Sequence, residues 1–196
     1  VNLRAELPTH PTRRYERREL TKINKVVIHH SAVAANVGPE RIAAYHVNSR
    51  GWPGIGYHFC ISAEGTVYWC NDLDRVSYHV SGHNEESVGV CLLGCFTEGR
   101  EPTEAQIEAA RELLAELQER VGAFDDFGET SASSVEPLSR AVVGHKDLAA
   151  TRCPGDTWRQ WKALLRGEDV REPQSNDEVS RLRGLLAQIE ELAKER

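Results

Sequence analysis

The chain has 196 residues, of which 40% are hydrophobic and 28% charged. That is room for one ordinary domain, and since a domain of about 150 residues buries roughly 70% of its unfolded surface, folding needs no staple. Lys and Arg number 24 against 30 Asp and Glu, a net charge of −6, which argues against a protein built to grip nucleic acid through a general positive field. No run approaches the roughly 18 apolar residues of a membrane span, so the chain is expected to be soluble, with no membrane partner. The N-terminus shows no basic start, apolar stretch and small-residue cleavage site. With Val1 first and no Met anywhere, localisation is not readable there.

Residues 1–22 read as a basic, irregular arm draped over a domain, with six Lys or Arg against three Glu and one helical turn near Tyr15 to Leu20. Lys25 to His30 is a short strand rich in β-branched residues. Pro39 opens a helix through about Ser49, with Ile42, Tyr45 and His46 at helical spacing and Gly51 ending it. Tyr57–Ser62 and Thr66–Cys70 form a hairpin about Ala63-Glu64-Gly65, and Val88–Phe96 is the most apolar strand. Thr103 and Gln106 form a capping box, and the helix behind it carries Ile107, Ala110, Leu114, Leu117 and Val121 on one face. Residues 122–139 are a loop, Arg140–Gly144 a strand, and Pro154-Gly-Asp opens a helix to about Arg166. The interleaving predicts an α/β fold, a single domain over 23–166 with a central mixed sheet flanked by helices. Residues 167–196 form a polar linker and a charged helix. Its Val179, Leu182, Leu186, Ile189 and Ala193 have coiled-coil spacing, but barely two heptads are short for an independent coiled coil. This helix is therefore expected to pack back on the domain or to be the stub of a linker, with weak self-association as the alternative.

The five cysteines are an odd set. Cys91 and Cys95 lie about 13 Å apart along one strand, beyond disulfide reach, and a Cys60–Cys70 bridge depends on the hairpin register. Cys153 differs, because it precedes a helix start, where the dipole and a nearby cation favour thiolate. His29 and His30 end a strand and point to opposite faces, so only one lines a given cleft. His145 follows another strand. One of the first pair, His145 and Cys153 make a three-ligand zinc set with a fourth position left for water. In the competing readings His145 caps a strand above a packed Cys153, or Cys153 is a nucleophile with His145 as base.

Val26-Val-Ile-His-His-Ser-Ala32 resembles the first zinc-ligand strand of the N-acetylmuramoyl-L-alanine amidases, a family that includes phage lysozyme-type amidases and peptidoglycan recognition proteins. His46-x4-Gly51-Trp52 and Gly56-Tyr57-His58-Phe59 resemble the next two signatures. Ser87-Val-Gly-Val-Cys-Leu-Leu-Gly94 is similar to the central strand, and Gly144-His145-Lys-Asp-Leu-Ala-Ala-Thr151-Arg-Cys153-Pro-Gly155 to the closing motif. The five fall in order across about residues 23–165.

The resemblance implies a Zn²⁺ cofactor held by His29, His145 and Cys153, with Tyr57 and Thr151 catalytic. Thr151 follows the catalytic recognition proteins, where the phage lysozyme type has lysine. It further implies that His79, and Asn84 beside it, bind the stem peptide or sugar. The expected reaction is hydrolysis of the amide between N-acetylmuramic acid and L-alanine of peptidoglycan. Tyr57 and Thr151 would donate to the oxyanion, and the leaving-group proton would come from water through Tyr57. The site of action would be the cell wall, reached by export or phage-mediated release, as for a phage endolysin or a bacterial wall amidase. The alternatives are a non-cutting wall-binding module, which typically lacks the cysteine ligand, and an interaction protein working through its C-terminal helix. A cytoplasmic wall-recycling amidase usually presents Asp where this chain has Cys153.

Overall fold

A computed structural model describes residues 1–121 and 142–166. The expected 122–139 loop and the C-terminal helix lie outside them. Five strands form one mixed sheet: β1 (Lys25–His30), β2 (Phe59–Ile61), β3 (Val67–Trp69), β4 (Ser87–Leu92) and β5 (Val142–Gly144). The order is β3-β2-β4-β1-β5. β1 runs parallel to β4 and β5, and β2 runs parallel to β4 and antiparallel to β3. The helices are α1 (Pro39–Asn48), α2 (Glu104–Val121), the single turn α3 (His145–Leu148) and α4 (Trp158–Leu165). The expected α/β fold is therefore the observed one. Among the described residues no helix is long and apolar enough to cross a membrane.

Strand alternation divides the core in two. Val26 and Ile28 of β1, Phe59 and Ile61 of β2, and Val88, Val90 and Leu92 of β4 face one layer. There they meet α2 through Ile107, Ala110, Leu114 and Leu117, and α4 through Trp158 and Trp161. Each of these leucines, at most 3% exposed, contributes about 1.5–3 kcal/mol by leaving water. The opposite face carries Cys60 and Cys91, packed with Ile42 and Ala43 of α1 and with Leu3 and Leu7 of the N-terminal segment.

That segment is anchored tightly. Asn2 bridges to Trp69 on the β3 edge, and the Arg4 guanidinium lies 3.6 Å from the Trp69 ring centre. Arg18 is 6% exposed, its Nη1 2.7–3.0 Å from the carbonyls of Asn84, Glu85 and Ser87. Its helical turn falls at Leu20–Lys22, later than the expected Tyr15–Leu20, and is a 3-10 turn. Pro39 sits in the first turn of α1, where its missing N–H costs nothing. Tyr45, expected on the inward face of α1, is 52% exposed, while Ala43 and Val47 face inward with Ile42 and His46.

The Thr103–Gln106 box forms as expected: Gln106 N–H donates to Thr103 Oγ1 and Thr103 N–H to Gln106 Oε1. In the hairpin Cys60 opposes Tyr68, and Cys60 and Cys70 are free thiols. α4 begins at Trp158, four residues beyond the expected Pro154, because Cys153–Thr157 is spent closing the loop against Phe96. There Asp156 N–H donates to the Phe96 carbonyl, and a Cβ on Gly155, whose φ is +148°, would lie 2.3 Å from that oxygen.

Candidate metal centre

The C-terminal ends of the parallel strands β1 and β5 lie side by side, with Ile28 paired to Gly144. His29 and His145 follow those paired positions at once, so adjacency in the sheet becomes adjacency of imidazoles, with ring centres 4.8 Å apart. The loop after α3 returns Cys153 to the same place. Lys146 N–H donates to the Cys153 carbonyl at 2.7 Å, and His30 N–H donates to its sulfur at 3.4 Å. One ligand atom from each of His29, His145 and Cys153 lies within 4.8 Å of the others, so the structure brings together the three residues expected to hold a metal. His30 takes the other face, where its Nδ1 accepts the Phe96 N–H.

Burial sets the protonation of this cluster. It pushes His29 well below the usual histidine range, helped by His145 and His30, and lowers His145 as well. Both imidazoles are thus neutral near pH 7, the form that binds metals. Burial pushes the Cys153 thiol up to about 12, against the opposing His30 N–H and Lys146. The expected helix-dipole activation of this cysteine does not arise, since α4 starts five residues downstream. A thiolate here needs a cation beside it. Two neutral imidazoles and one such thiol are a nitrogen and sulfur donor set that suits Zn²⁺.

His29 pairs with Cys91 across to β4, and Cys91 pairs with Cys60 on β2, so two small thiols pave the floor next to His29. Half-buried Tyr57 packs over that floor, its ring centre 5.3 Å from that of His29. Burial, then the thiols of Cys91, Cys153 and Cys60, hold its phenol well above its ordinary range, as a protonated donor. Thr151 Oγ1 accepts the Cys153 N–H at 3.2 Å.

His79, expected at the substrate, is 7% exposed and lies behind His29, Nδ1 to Nε2, at 3.1 Å. Asn84 is bound to the backbone of its own loop, its Oδ1 accepting the N–H groups of His79 and Val80. His58 is fully buried, and its Nδ1 accepts the Gly89 N–H. His46 Nδ1 accepts the Gly56 N–H at 3.1 Å. Trp52 packs against the His46 ring with centres 4.6 Å apart.

The family described as N-acetylmuramoyl-L-alanine amidase matches residues 19–156. The chain belongs to that family. An endolysin of Klebsiella phage KP32 is 34% identical over 144 residues, covering 70% of this chain and 84% of the phage protein. Peptidoglycan-recognition protein SC2 of Drosophila melanogaster is 31% identical, covering 72% and 77%. Among solved structures, the N-acetylmuramoyl-L-alanine amidase LysC of Clostridium intestinale superposes with a TM-score of 0.59 at 26% identity, over 81% of this chain and 96% of that one.

Sequence reasoning passed over one residue of this amidase-family site. Asp147 Oδ2 accepts the Gly144 N–H at 2.8 Å and the Trp158 indole N–H at 2.9 Å, tying the end of β5 to α4 immediately beside His145. The available signal was its place three residues after Gly144, where a carboxylate can cap the turn behind it.

Proposed function

We propose that the chain is a zinc-dependent N-acetylmuramoyl-L-alanine amidase that hydrolyses the amide joining N-acetylmuramic acid to L-alanine in peptidoglycan. The observation that carries this reading is the convergence of His29, His145 and Cys153 ligand atoms within 4.8 Å, in a family of that activity. The catalytic unit is residues 23–166, with residues 1–22 its anchored arm and 167–196 a tail. The site of action is the cell wall.

His29, His145 and Cys153 would hold the zinc, which supplies a water acidified towards neutrality and a Lewis acid for the carbonyl. The chain's own residues do the rest. Tyr57, kept protonated by burial, donates a hydrogen bond to the amide oxygen as negative charge develops there. Thr151 accepts the Cys153 N–H, which leaves its own hydroxyl hydrogen to donate to the same oxygen. No carboxylate stands among these groups, so the proton lost by the attacking water is the one delivered to the departing L-alanine nitrogen, relayed through Tyr57, which ends the step protonated as it began. The Cys153 sulfur accepts the His30 N–H at 3.4 Å, which fixes its position.

Digestion of purified peptidoglycan, with and without a zinc chelator, tests the reading. Stem peptides beginning with L-alanine should be released, lost on chelation and restored by zinc. Released disaccharides would refute it. Wall binding without release, unchanged in Cys153→Ser, would make the protein a recognition module, the reading favoured by its likeness to recognition protein SC2.

A further inference from the structure

His29 presents one ring nitrogen to the ligand cluster and the other to the protein. Its Nδ1 faces Cys153 Sγ at 3.6 Å, while Nε2 lies 3.1 Å from Nδ1 of His79. A hydrogen bond between two ring nitrogens needs a proton on one of them only, and the groups behind His79 decide which. Ser87 Oγ is 2.5 Å from the carbonyl oxygen of His83. A carbonyl only accepts, so the single hydrogen of Ser87 is committed there. The hydroxyl must then accept from Nε2 of His79, at 3.3 Å. With its proton on Nε2, His79 has a bare acceptor at Nδ1, and His29 must carry its own proton on Nε2. What His29 has left is the lone pair on Nδ1, on the side of Cys153.

The geometry points to His79 as a positioning residue that, relayed through Ser87 and the His83 carbonyl, locks His29 in its Nε2–H tautomer and offers Nδ1 as the metal-binding atom. This rests on the reading of His29 as a ligand, and it gives His79 a task other than touching stem peptide or sugar. The surroundings are built to keep the ring in place. Asn84 Oδ1 holds the N–H groups of His79 and Val80 at 3.0 and 2.8 Å. Arg18 clamps the carbonyls of Asn84, Glu85 and Ser87, fixing the turn that delivers the Ser87 hydroxyl. Gly89 on β4 leaves the space, since a Cβ there would sit 2.6 Å from Cγ of His79. A histidine ligand with its far nitrogen anchored keeps its tautomer and ring orientation, and loss of such an anchor typically costs about 10- to 100-fold in metal affinity.

Two measurements test this. Long-range ¹H–¹⁵N correlation NMR on the metal-free wild-type protein should show His29 protonated on Nε2 and bare on Nδ1; the reverse pattern would overturn the inference. Zn²⁺ and Co²⁺ affinities by chelator competition should fall about 10- to 100-fold in His79→Leu. They should largely recover in His79→Asn, whose amide oxygen replaces Nδ1 as acceptor. Unchanged affinity in His79→Leu with a raised KM would assign His79 to substrate contact and overturn the inference. A wild-type protein that binds neither ion would sink the metal reading itself, with the NMR pattern still deciding the tautomer. Should His79→Leu not fold, the NMR pattern and His79→Asn carry the decision.

Discussion

The carboxylate of Asp147 accepts the indole N–H of Trp158 across the α3–α4 junction, and its second acceptor bond reaches back to Gly144 at the end of β5. Burial would raise its pKa, but the Gly144 N–H, Trp158 and Lys162 outweigh that and hold it below the usual carboxylate range. One side chain thus fixes where His145 leaves the sheet. In Asp147→Ala three donors, the Gly144 N–H, the Trp158 indole and the Lys162 ammonium, lose an ionised partner, and stability should fall by about 1–3 kcal/mol, read from the urea midpoint of the metal-free protein. Zinc affinity should fall as well. An unchanged midpoint would show that water replaces the carboxylate without cost.

Tyr57→Phe keeps the ring over the Cys91 floor and removes only the phenol. If the hydroxyl stabilises developing charge, kcat for release of stem peptides should drop about 10²- to 10³-fold, with KM and zinc content unchanged. A rise in KM alone would make Tyr57 a wall of the groove.

Gly89→Ala places a methyl group against the His79 ring, 2.6 Å from Cγ before any shift. Overpacking of this kind costs about 1–3 kcal/mol. The expected outcome is a lower melting temperature together with weaker zinc binding. Zinc affinity equal to that of the wild type would show that the ring has room to move.

Acid should weaken the fold before the carboxylates titrate. Burial holds His46 at about 4 and His58 at about 3, with Arg50 and Arg18 adding to it respectively. In the unfolded chain both take a proton near pH 6.5. Between those values the unfolded state binds more protons, so stability falls with pH by up to about 1.4 kcal/mol per unit for each. Above 6.5 both are neutral in either state and give no slope. Urea midpoints should therefore be flat from pH 8 to 7 and decline from pH 6.5 downwards, less steeply in His46→Asn. A midpoint constant to pH 4.5 would contradict this.

His145 and Cys153 were legible as ligand types beside one of His29 and His30, the choice of His29 resting on the family resemblance. The strands and the long helix with its Thr103 cap were legible because each rests on local pattern: alternation or helical spacing. Three features were not. The start of α4 is set by the approach of Gly155 to Phe96, a contact across 59 positions that no local signal records. The basic N-terminal segment hid the anchoring of Leu3 and Leu7 and the burial of Arg18, because composition reports charge and not the carbonyls that meet it. The surroundings of His79 escaped as well, since the need for a small residue at Gly89 exists only once the 79–84 turn is laid on β4.

β1 is a single six-residue strand at the heart of the sheet, and its last two side chains serve opposite faces: His29 joins the ligand cluster while His30 braces Phe96 behind it. A substitution at Val26 or Ile28 would cost packing and no more. One residue inserted or deleted within the strand would exchange the two histidines and every apolar neighbour with them. This segment can therefore change in composition over evolutionary time but not in length, and tolerance for insertions should concentrate at places such as the 63–65 turn of the hairpin.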